Sequence, residues 1–213
     1  MIPVKEQTPH VPISPNEIIE QVHEAYELGI TIVHLHARDD EGKPTYKANV
    51  YVKIMEGIRQ HCPDLVLCVS LSGRNFPEVE KRAEPLQLKP DMASLTLSSL
   101  NFPKSASVNS PETILALLNR MKENGVNPEL ECFDSGMVNY SKYLIKKGLV
   151  QAPFYYNLLF GNVFNCQADL AYAGLMVKDL PENSYWSFAG IGNTQLPTNA
   201  WAISYGGGVR VGI

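Results

Sequence analysis

The chain has 213 residues with a formal net charge of −4 at pH 7, and 45% of its residues are hydrophobic while 19% are charged. This composition is typical of a globular protein, and we predict one domain over residues 1–213. No run of lysine and arginine is long enough to predict a nucleic-acid or membrane surface. No segment approaches the roughly 20 apolar residues of a membrane span, and the N-terminus lacks the apolar core of a signal peptide.

The four cysteines, at positions 62, 68, 132 and 166, are scattered along the chain. Scattered cysteines in apolar segments favour free buried thiols over disulfides or a cysteine-based zinc site. We therefore expect a cytoplasmic protein.

Helical periodicity alternates with short β-branched runs along the whole chain. Ser14-Pro15-Asn16-Glu17 predicts the first helix, because it combines an N-cap serine, a proline at the first helical position and a glutamate three residues after the cap. Further helices are predicted near 48–61, from 77, and at 110–125, 137–147, 168–177 and 198–204. Strands are predicted at 30–36, 65–70, 92–96, 129–133, 154–160, 185–190 and 207–213.

This strict alternation with short connections predicts parallel strands joined by right-handed crossovers. No glycine fingerprint of a dinucleotide-binding fold follows the first strand, which favours a barrel over an open sheet. A helix opens the chain with no strand before it, and a strand closes the chain with no helix after it. Because a complete barrel needs eight βα units, we predict an α/β fold of the TIM-type (β/α)8 barrel class that lacks the first strand and the last helix.

His34 and His36 lie two residues apart on the first strand, so both imidazoles face the same side while Leu35 faces the other. They sit at the carboxyl end of that strand, where barrel enzymes keep their active sites. Two neutral imidazoles at this spacing are able to bind one Zn²⁺ at about 2.0–2.1 Å each. The alternative is a pair of hydrogen-bonded core residues, but burying two imidazoles is costly without partners, so a metal site is favoured.

Polar residues follow the next strand ends too. Arg38 is suited either to clamp a substrate carboxylate or to anchor its loop. Ser70, Ser94 and Asn101 are candidates for hydrogen bonds to substrate oxygens, and each is equally suited to cap a turn. Together these residues form the pattern expected of a barrel active site.

Glu131 lies inside a parallel strand, an unusual place for a carboxylate. We interpret it as a candidate general base, or else as a structural ion-pair partner of Arg210. Arg210 lies in the last strand, where a buried guanidinium needs an anion, and Glu131 is the candidate. Gly190 and Gly192 permit either close approach of a ligand such as a CoA cosubstrate or a tight barrel corner.

Taken together, several motifs resemble the β-keto acid cleavage enzymes, a family that includes the 3-keto-5-aminohexanoate cleavage enzyme of lysine fermentation. The resemblance covers nearly the whole chain, and the HLHxR and PELExFDxG motifs are specific in combination. The matching segments are 12–17, 33–39, 89–94, 101–102, 128–136 and 206–212.

The resemblance implies a zinc-dependent (β/α)8 barrel, usually a homotetramer, that converts a β-keto acid and acetyl-CoA into acetoacetate and a new acyl-CoA by a retro-Claisen route. It implies that His34 and His36 are zinc ligands. It also implies roles for four residues at positions that match the family motifs. They bind substrate or tune the catalytic base: Ser70, Ser94, Glu131 and Arg210.

The family's third zinc ligand is a glutamate, followed by an aspartate, directly after a Val-Gly-Ile segment, and this sequence ends at Ile213. The resemblance therefore implies truncation at both ends, and an inactive fragment or pseudoenzyme is an alternative. A barrel metallohydrolase is disfavoured, because such barrels need histidines on later strands and the remaining ones are His10, His23 and His61.

Overall fold

The computed structural model describes residues 3–212. The helices are α1 Pro15–Glu27, α2 Ala48–His61, α3 Val79–Ala83, α4 Pro111–Asn124, α5 Ser135–Lys146, α6 Leu170–Lys178 and α7 Gln195–Ser204. The strands are β1 Ile32–Leu35, β2 Val66–Val69, β3 Met92–Thr96, β4 Leu100–Phe102, β5 Ser105–Ser107, β6 Asn127–Cys132, β7 Phe154–Phe160, β8 Ser184–Gly190 and β9 Gly208–Val209.

Seven strands form one parallel sheet in the order β1-β2-β3-β6-β7-β8-β9, which is also their order along the chain. Helices alternate with these strands, so the sheet curls into a half-barrel of the TIM type. The first described element is α1 and the last is β9, and β1 and β9 are the two edges of the sheet. The predictions of a parallel sheet and of a TIM-type fold are confirmed.

The first helix begins as its sequence predicts. The Ser14 hydroxyl accepts a hydrogen bond from the backbone N–H of Glu17, and the Glu17 carboxylate accepts one from the backbone N–H of Ser14. This reciprocal capping satisfies two N–H groups that have no partner inside the helix. α4 ends at Asn124 and is capped by Gly125, whose φ of 70° is a left-handed conformation that glycine adopts without strain.

The hydrophobic core lies between the sheet and the helices. Leu67 of β2, Leu95 of β3 and Leu130 of β6 are fully buried in one cluster with Ile54 of α2 and Leu117 of α4. Each such side chain contributes about 1.5–3 kcal/mol relative to an exposed position. Because side chains alternate along a strand, the residues next to Leu130 face the other side of the sheet, toward the barrel interior.

Three local predictions differ from the structure. Residues 100–107 form a small antiparallel hairpin of β4 and β5. It was not predicted, because both strands are short and lack the alternation of apolar and polar residues that indicates a strand. α3 begins at Val79 rather than near residue 77, and it passes into a 3-10 turn at Glu84–Leu88. The last strand is predicted over residues 207–213; β9 comprises Gly208–Val209 among residues 207–212, and Ile213 lies outside the described residues. Within residues 3–212, no helix is long and apolar enough to cross a membrane.

A candidate active site inside the half-barrel

Glu129 of β6 is the centre of a buried polar cluster. Its carboxylate, 2% exposed, accepts a hydrogen bond at Oε2 from His34 Nδ1 at 2.7 Å. The Cys68 thiol donates to the same oxygen at 3.4 Å, and Asn157 Nδ2 donates to Oε1 at 3.4 Å. The guanidinium of Arg210 lies 3.5 Å from Oε1. Residues from β1, β2, β6 and β7, with Arg210 beyond β9, therefore meet at one carboxylate.

The cluster keeps Glu129 ionised. Burial opposes the charged form, but the positive charges of His34 and Arg210 and the hydrogen bonds from His34 and Cys68 outweigh it and lower the pKa of Glu129 to about 2. A buried carboxylate is stable only when its oxygens are satisfied in this way.

Glu131 lies two residues farther along β6 and faces the same side of the sheet. Its Oε1 accepts from Arg210 Nη1 at 3.0 Å, and its Oε2 accepts from Thr96 Oγ1 at 2.8 Å. Burial alone lowers the pKa of Arg210, but Glu129 and Glu131 outweigh burial and raise it above its usual value. The structure thus pairs Glu131 with Arg210 as the sequence suggests, and it adds Glu129 as a second anion for the same guanidinium.

His34 and His36 stand side by side. Their ring centroids are 4.9 Å apart, with 38° between the ring planes. Because Nδ1 of His34 is bound to Glu129, Nε2 is the nitrogen of this ring that remains for another ligand. Burial first, and then the nearby positive charges of His34, Arg210 and Arg74, hold the pKa of His36 well below its usual value. A neutral imidazole is the form that binds metal ions, so His36 fits a divalent cation such as zinc, with Nε2 of His34 as the neighbouring nitrogen.

A second conceivable metal site combines His34, Cys68 and Glu129, whose ligand atoms lie within 4.8 Å of one another. Two ligands bound to tetrahedral zinc at about 2.0–2.1 Å are separated by roughly 3.3 Å. The nitrogen and oxygen of His34 and Glu129 are 2.7 Å apart, which is a hydrogen-bond distance. Burial first, and then the charge of Glu129, raise the pKa of the Cys68 thiol well above its usual value, so the thiol stays protonated. The trio is therefore a hydrogen-bonded network.

A pocket opens beside His36. Its wall includes Ser70 at the end of β2, Arg74 in the following loop, and the aromatic rings of Tyr46 and Phe76. The candidate zinc ligand and the candidate substrate residue Ser70 thus share one cavity.

The side chains of two other predicted site residues form hydrogen bonds with backbone groups of the fold. The buried guanidinium of Arg38 donates to the carbonyl oxygens of Gly42 at 2.8 Å and Pro3 at 2.6 Å, which matches the alternative of a loop anchor. The buried hydroxyl of Ser94 accepts from the backbone N–H of Leu71 at 3.1 Å and fixes the chain after β2.

Asn101 is an exposed residue of β4, and its backbone carbonyl accepts from Asn162 Nδ2 at 2.9 Å. A Cβ on Gly190 would lie 2.5 Å from the Cα of Gln195, so the turn into α7 requires this glycine. That contact favours the corner interpretation for Gly190. Gly192 adopts a φ of 65° in a 3-10 turn, with open space where a Cβ would be.

Four members of this network are not among the site residues predicted from the sequence, namely Glu129, Cys68, Asn157 and Thr96. One signal was available for Glu129, since it shares a strand face with Glu131. The other three resemble ordinary strand residues, and their roles depend on partners far away in the sequence.

Comparison with known proteins identifies the family. A profile of the beta-keto acid cleavage enzyme family matches residues 1–213. The chain belongs to this family. It is 37% identical over 210 residues to the 3-keto-5-aminohexanoate cleavage enzyme of Fusobacterium nucleatum, covering 98% of this chain and 76% of that relative. It is 34% identical over 215 residues to the 3-oxoadipate:acetyl-CoA acetyltransferase of Cupriavidus necator, covering 100% of this chain and 75% of that relative.

Solved structures support the fold assignment. A ternary complex of ObcA with a C4-CoA adduct and oxalate superposes with a TM-score of 0.81 at 19% identity over 98% of this chain. This chain spans 58% of the length of that ObcA chain. The apo structure of ObcA gives the same TM-score, with 56% of its length covered. The strands and helices of this chain's half-barrel are therefore arranged as in the solved structures of ObcA.

Proposed function

We propose that this protein is a zinc-dependent β-keto acid cleavage enzyme, which converts a β-keto acid and acetyl-CoA into acetoacetate and a new acyl-CoA. The observation that carries the proposal is the pair His34 and His36 beside the ion-pair network of Glu131 and Arg210, within a chain of this family. The relatives support it, because their names describe cleavage of a keto acid and transfer to or from acetyl-CoA.

His34 and His36 would hold the zinc, using Nε2 of His34. Two imidazoles are two of the three protein ligands that a catalytic zinc normally has, and both belong to the described residues. When bound, zinc supplies a Lewis acid for the keto and carboxylate oxygens of the substrate.

Glu131 and Arg210 are assigned to proton transfer and to charge stabilisation. A carboxylate in the Glu131–Arg210 network accepts the proton from the carbon between the keto and carboxyl groups, which leaves an enolate. The enolate carbon attacks the thioester carbonyl of acetyl-CoA and expels the CoA thiolate. The thiolate adds to the original keto carbonyl, and a retro-Claisen step breaks the bond between that carbonyl carbon and the former enolate carbon, which releases the new acyl-CoA. The acetoacetate enolate that remains takes back the proton from the carboxyl group. The fixed charge of Arg210 stabilises the negative charge as it develops, because the guanidinium is already held in place by two carboxylates.

Ser70 is assigned to substrate binding because it lines the pocket beside His36. Ser94, Asn101 and Arg38 stay candidates for this role, and Gly192 stays a candidate for contact with the CoA cosubstrate. Assembly as a homotetramer is also proposed from the resemblance, and a cytoplasmic location from the scattered cysteines. Sedimentation of the purified chain would test the assembly.

The direct test measures acyl-CoA and acetoacetate from acetyl-CoA and a panel of β-keto acids, using chain stripped of metal and chain reloaded with zinc. We expect product only after zinc is added, and stoichiometric zinc binding by titration. His34→Ala and His36→Ala should each weaken zinc binding and abolish product. Arg120→Ala, an exposed change on α4, is the matched control and should keep both properties.

Two alternatives predict different results. An inactive fragment or pseudoenzyme would bind zinc weakly and give no product from any β-keto acid, which would contradict the proposal. A metallohydrolase would cleave esters or amides in the presence of zinc without acetyl-CoA.

A further inference from the structure

Glu129 holds one of the two histidines directly, although the two residues lie on strands that are not neighbours. β6 is separated from β1 by β2 and β3 in the sheet, and the Glu129 carboxylate reaches across the interior face to Nδ1 of His34 at 2.7 Å. The His34 side chain is 9% exposed and the Glu129 side chain 2% exposed, so water hardly competes for this bond.

The chemistry of the two groups determines which nitrogen of His34 carries the proton. Glu129 is paired with the guanidinium of Arg210, and a carboxylate anion accepts hydrogen bonds but donates none. Nδ1 of His34 therefore carries the hydrogen, and in the neutral ring the lone pair lies at Nε2. Glu129 thus selects the tautomer that presents Nε2 to a metal ion.

The orientation of the Glu129 carboxylate is fixed in turn, because both of its oxygens accept hydrogen bonds. Oε2 also accepts from the Cys68 thiol at 3.4 Å, and Oε1 accepts from Asn157 Nδ2 at 3.4 Å. The fully buried Asn157 amide is itself oriented by the Ser187 hydroxyl, which donates to its Oδ1 at 3.4 Å. Residues of β2, β7 and β8 therefore set the angle of the carboxylate, and the carboxylate sets the angle of the His34 ring.

A carboxylate bound to one nitrogen of an imidazole makes the other nitrogen a stronger metal ligand, because the negative charge raises the basicity of the ring. The inference rests on the proposed function, in which His34 binds zinc through Nε2. We propose that Glu129 is a positioning residue of the zinc site, which selects the tautomer of His34, orients its ring and strengthens its bond to the metal. The two carboxylates on this face of β6 then have different tasks, since Glu131 is assigned to proton transfer.

Zinc affinity tests this division of tasks. Loss of a carboxylate that holds a metal-bound histidine typically lowers metal affinity about 10- to 100-fold. We expect the zinc Kd to rise by this factor in Glu129→Gln, measured by competition with a chelator of known affinity. Glu131→Gln is the matched control, because it removes a second carboxylate beside Arg210 whose oxygens accept from Arg210 and Thr96, and its zinc Kd should rise less. Glu129→Asp should recover part of the affinity, because the charge returns on a shorter side chain.

The tautomer of His34 is a readout that a purely structural role of Glu129 would not change. In Glu129→Gln, the amide oxygen should face the two donors Asn157 and Arg210, which turns the amide NH2 toward His34. The NH2 donates to Nδ1, so the proton of the ring should move from Nδ1 to Nε2. Long-range ¹H–¹⁵N spectra of the metal-free chain at pH 8 measure this change, and His34→Ala identifies the signals. Thermal melts of every variant ensure that the spectra and titrations are recorded on folded chain.

Three results would overturn the proposal: a His34 proton at Nε2 in the parent, a His34 proton that stays at Nδ1 in Glu129→Gln, or zinc affinities that fall equally in Glu129→Gln and Glu131→Gln. If the parent binds no zinc, the proposed function fails. The spectra of the metal-free parent and of Glu129→Gln still decide whether Glu129 selects the tautomer of His34.

Discussion

Removal of the Glu129 carboxylate tests whether the buried cluster holds the half-barrel together. In Glu129→Ala, His34 Nδ1 and Asn157 Nδ2 lose their acceptor, and Arg210 loses one of its two anions. Breaking a buried charge pair by removing one partner typically costs about 3–5 kcal/mol. A domain of this size has a total stability of roughly 5–15 kcal/mol, so the loss is a large share of the whole.

The measurement is the free energy of unfolding from urea titration, followed by circular dichroism. For a chain of this length, a loss of 3–5 kcal/mol corresponds to a fall in Tm of roughly 6–20 °C. Glu129→Gln keeps the shape and one acceptor oxygen, so it should fall between the parent and Glu129→Ala. The control is Glu123→Ala, which removes an exposed ion pair with Arg120 and should cost under about 1 kcal/mol.

A loss below about 1 kcal/mol in Glu129→Ala would refute the reasoning, because it would mean that the cluster of hydrogen bonds around Glu129 has little net value. An equal loss in Glu123→Ala would point to a general effect of charge removal rather than to burial.

Two further predictions follow from the same structure. The pKa of Glu129 is about 2 in the folded chain, against a reference value of 4.5. Its ionised form therefore contributes about 3 kcal/mol to the free energy of unfolding, a contribution that is complete above pH 4.5 and is lost as the pH falls toward 2. Urea titrations at pH 6, 4 and 3 should show a smaller decline in the free energy of unfolding for Glu129→Gln than for the parent. Gly207→Ala should destabilise the chain by about 1–3 kcal/mol, because the added Cβ would lie 2.1 Å from the Trp186 ring. Gly174→Ala in α6 should stabilise the chain by about 0.5–1 kcal/mol, because open space surrounds this position and alanine favours a helix over glycine. Calorimetric melting of the two variants and the parent measures both effects.

The order of elements and the class of fold were predictable from the sequence, because they depend on local patterns. The capping box at Ser14 and the left-handed Gly125 mark helix ends through contacts within a few residues. Strand alternation also placed His34 and His36 on one face, and the structure sets their rings 4.9 Å apart.

The roles of single polar residues are not decided by the sequence, because a polar side chain at a strand end is suited either to bind a ligand or to hold the fold together. The guanidinium of Arg38 and the hydroxyl of Ser94 are held by backbone groups that the sequence does not reveal as neighbours. Arg74 lies in the loop after β2, and its place beside His36 depends on the path of that loop.

The sequence by itself determined the order and approximate positions of the seven strands of the parallel sheet and which of their faces is polar. It also indicated that Glu131 and Arg210 form an ion pair. The tertiary structure alone decided that Glu129, 95 residues from His34 and 81 from Arg210, binds both. The physical reason is that local periodicity fixes the direction of a side chain relative to its own strand, whereas the partner across the barrel is set by the order, register and curvature of the whole sheet.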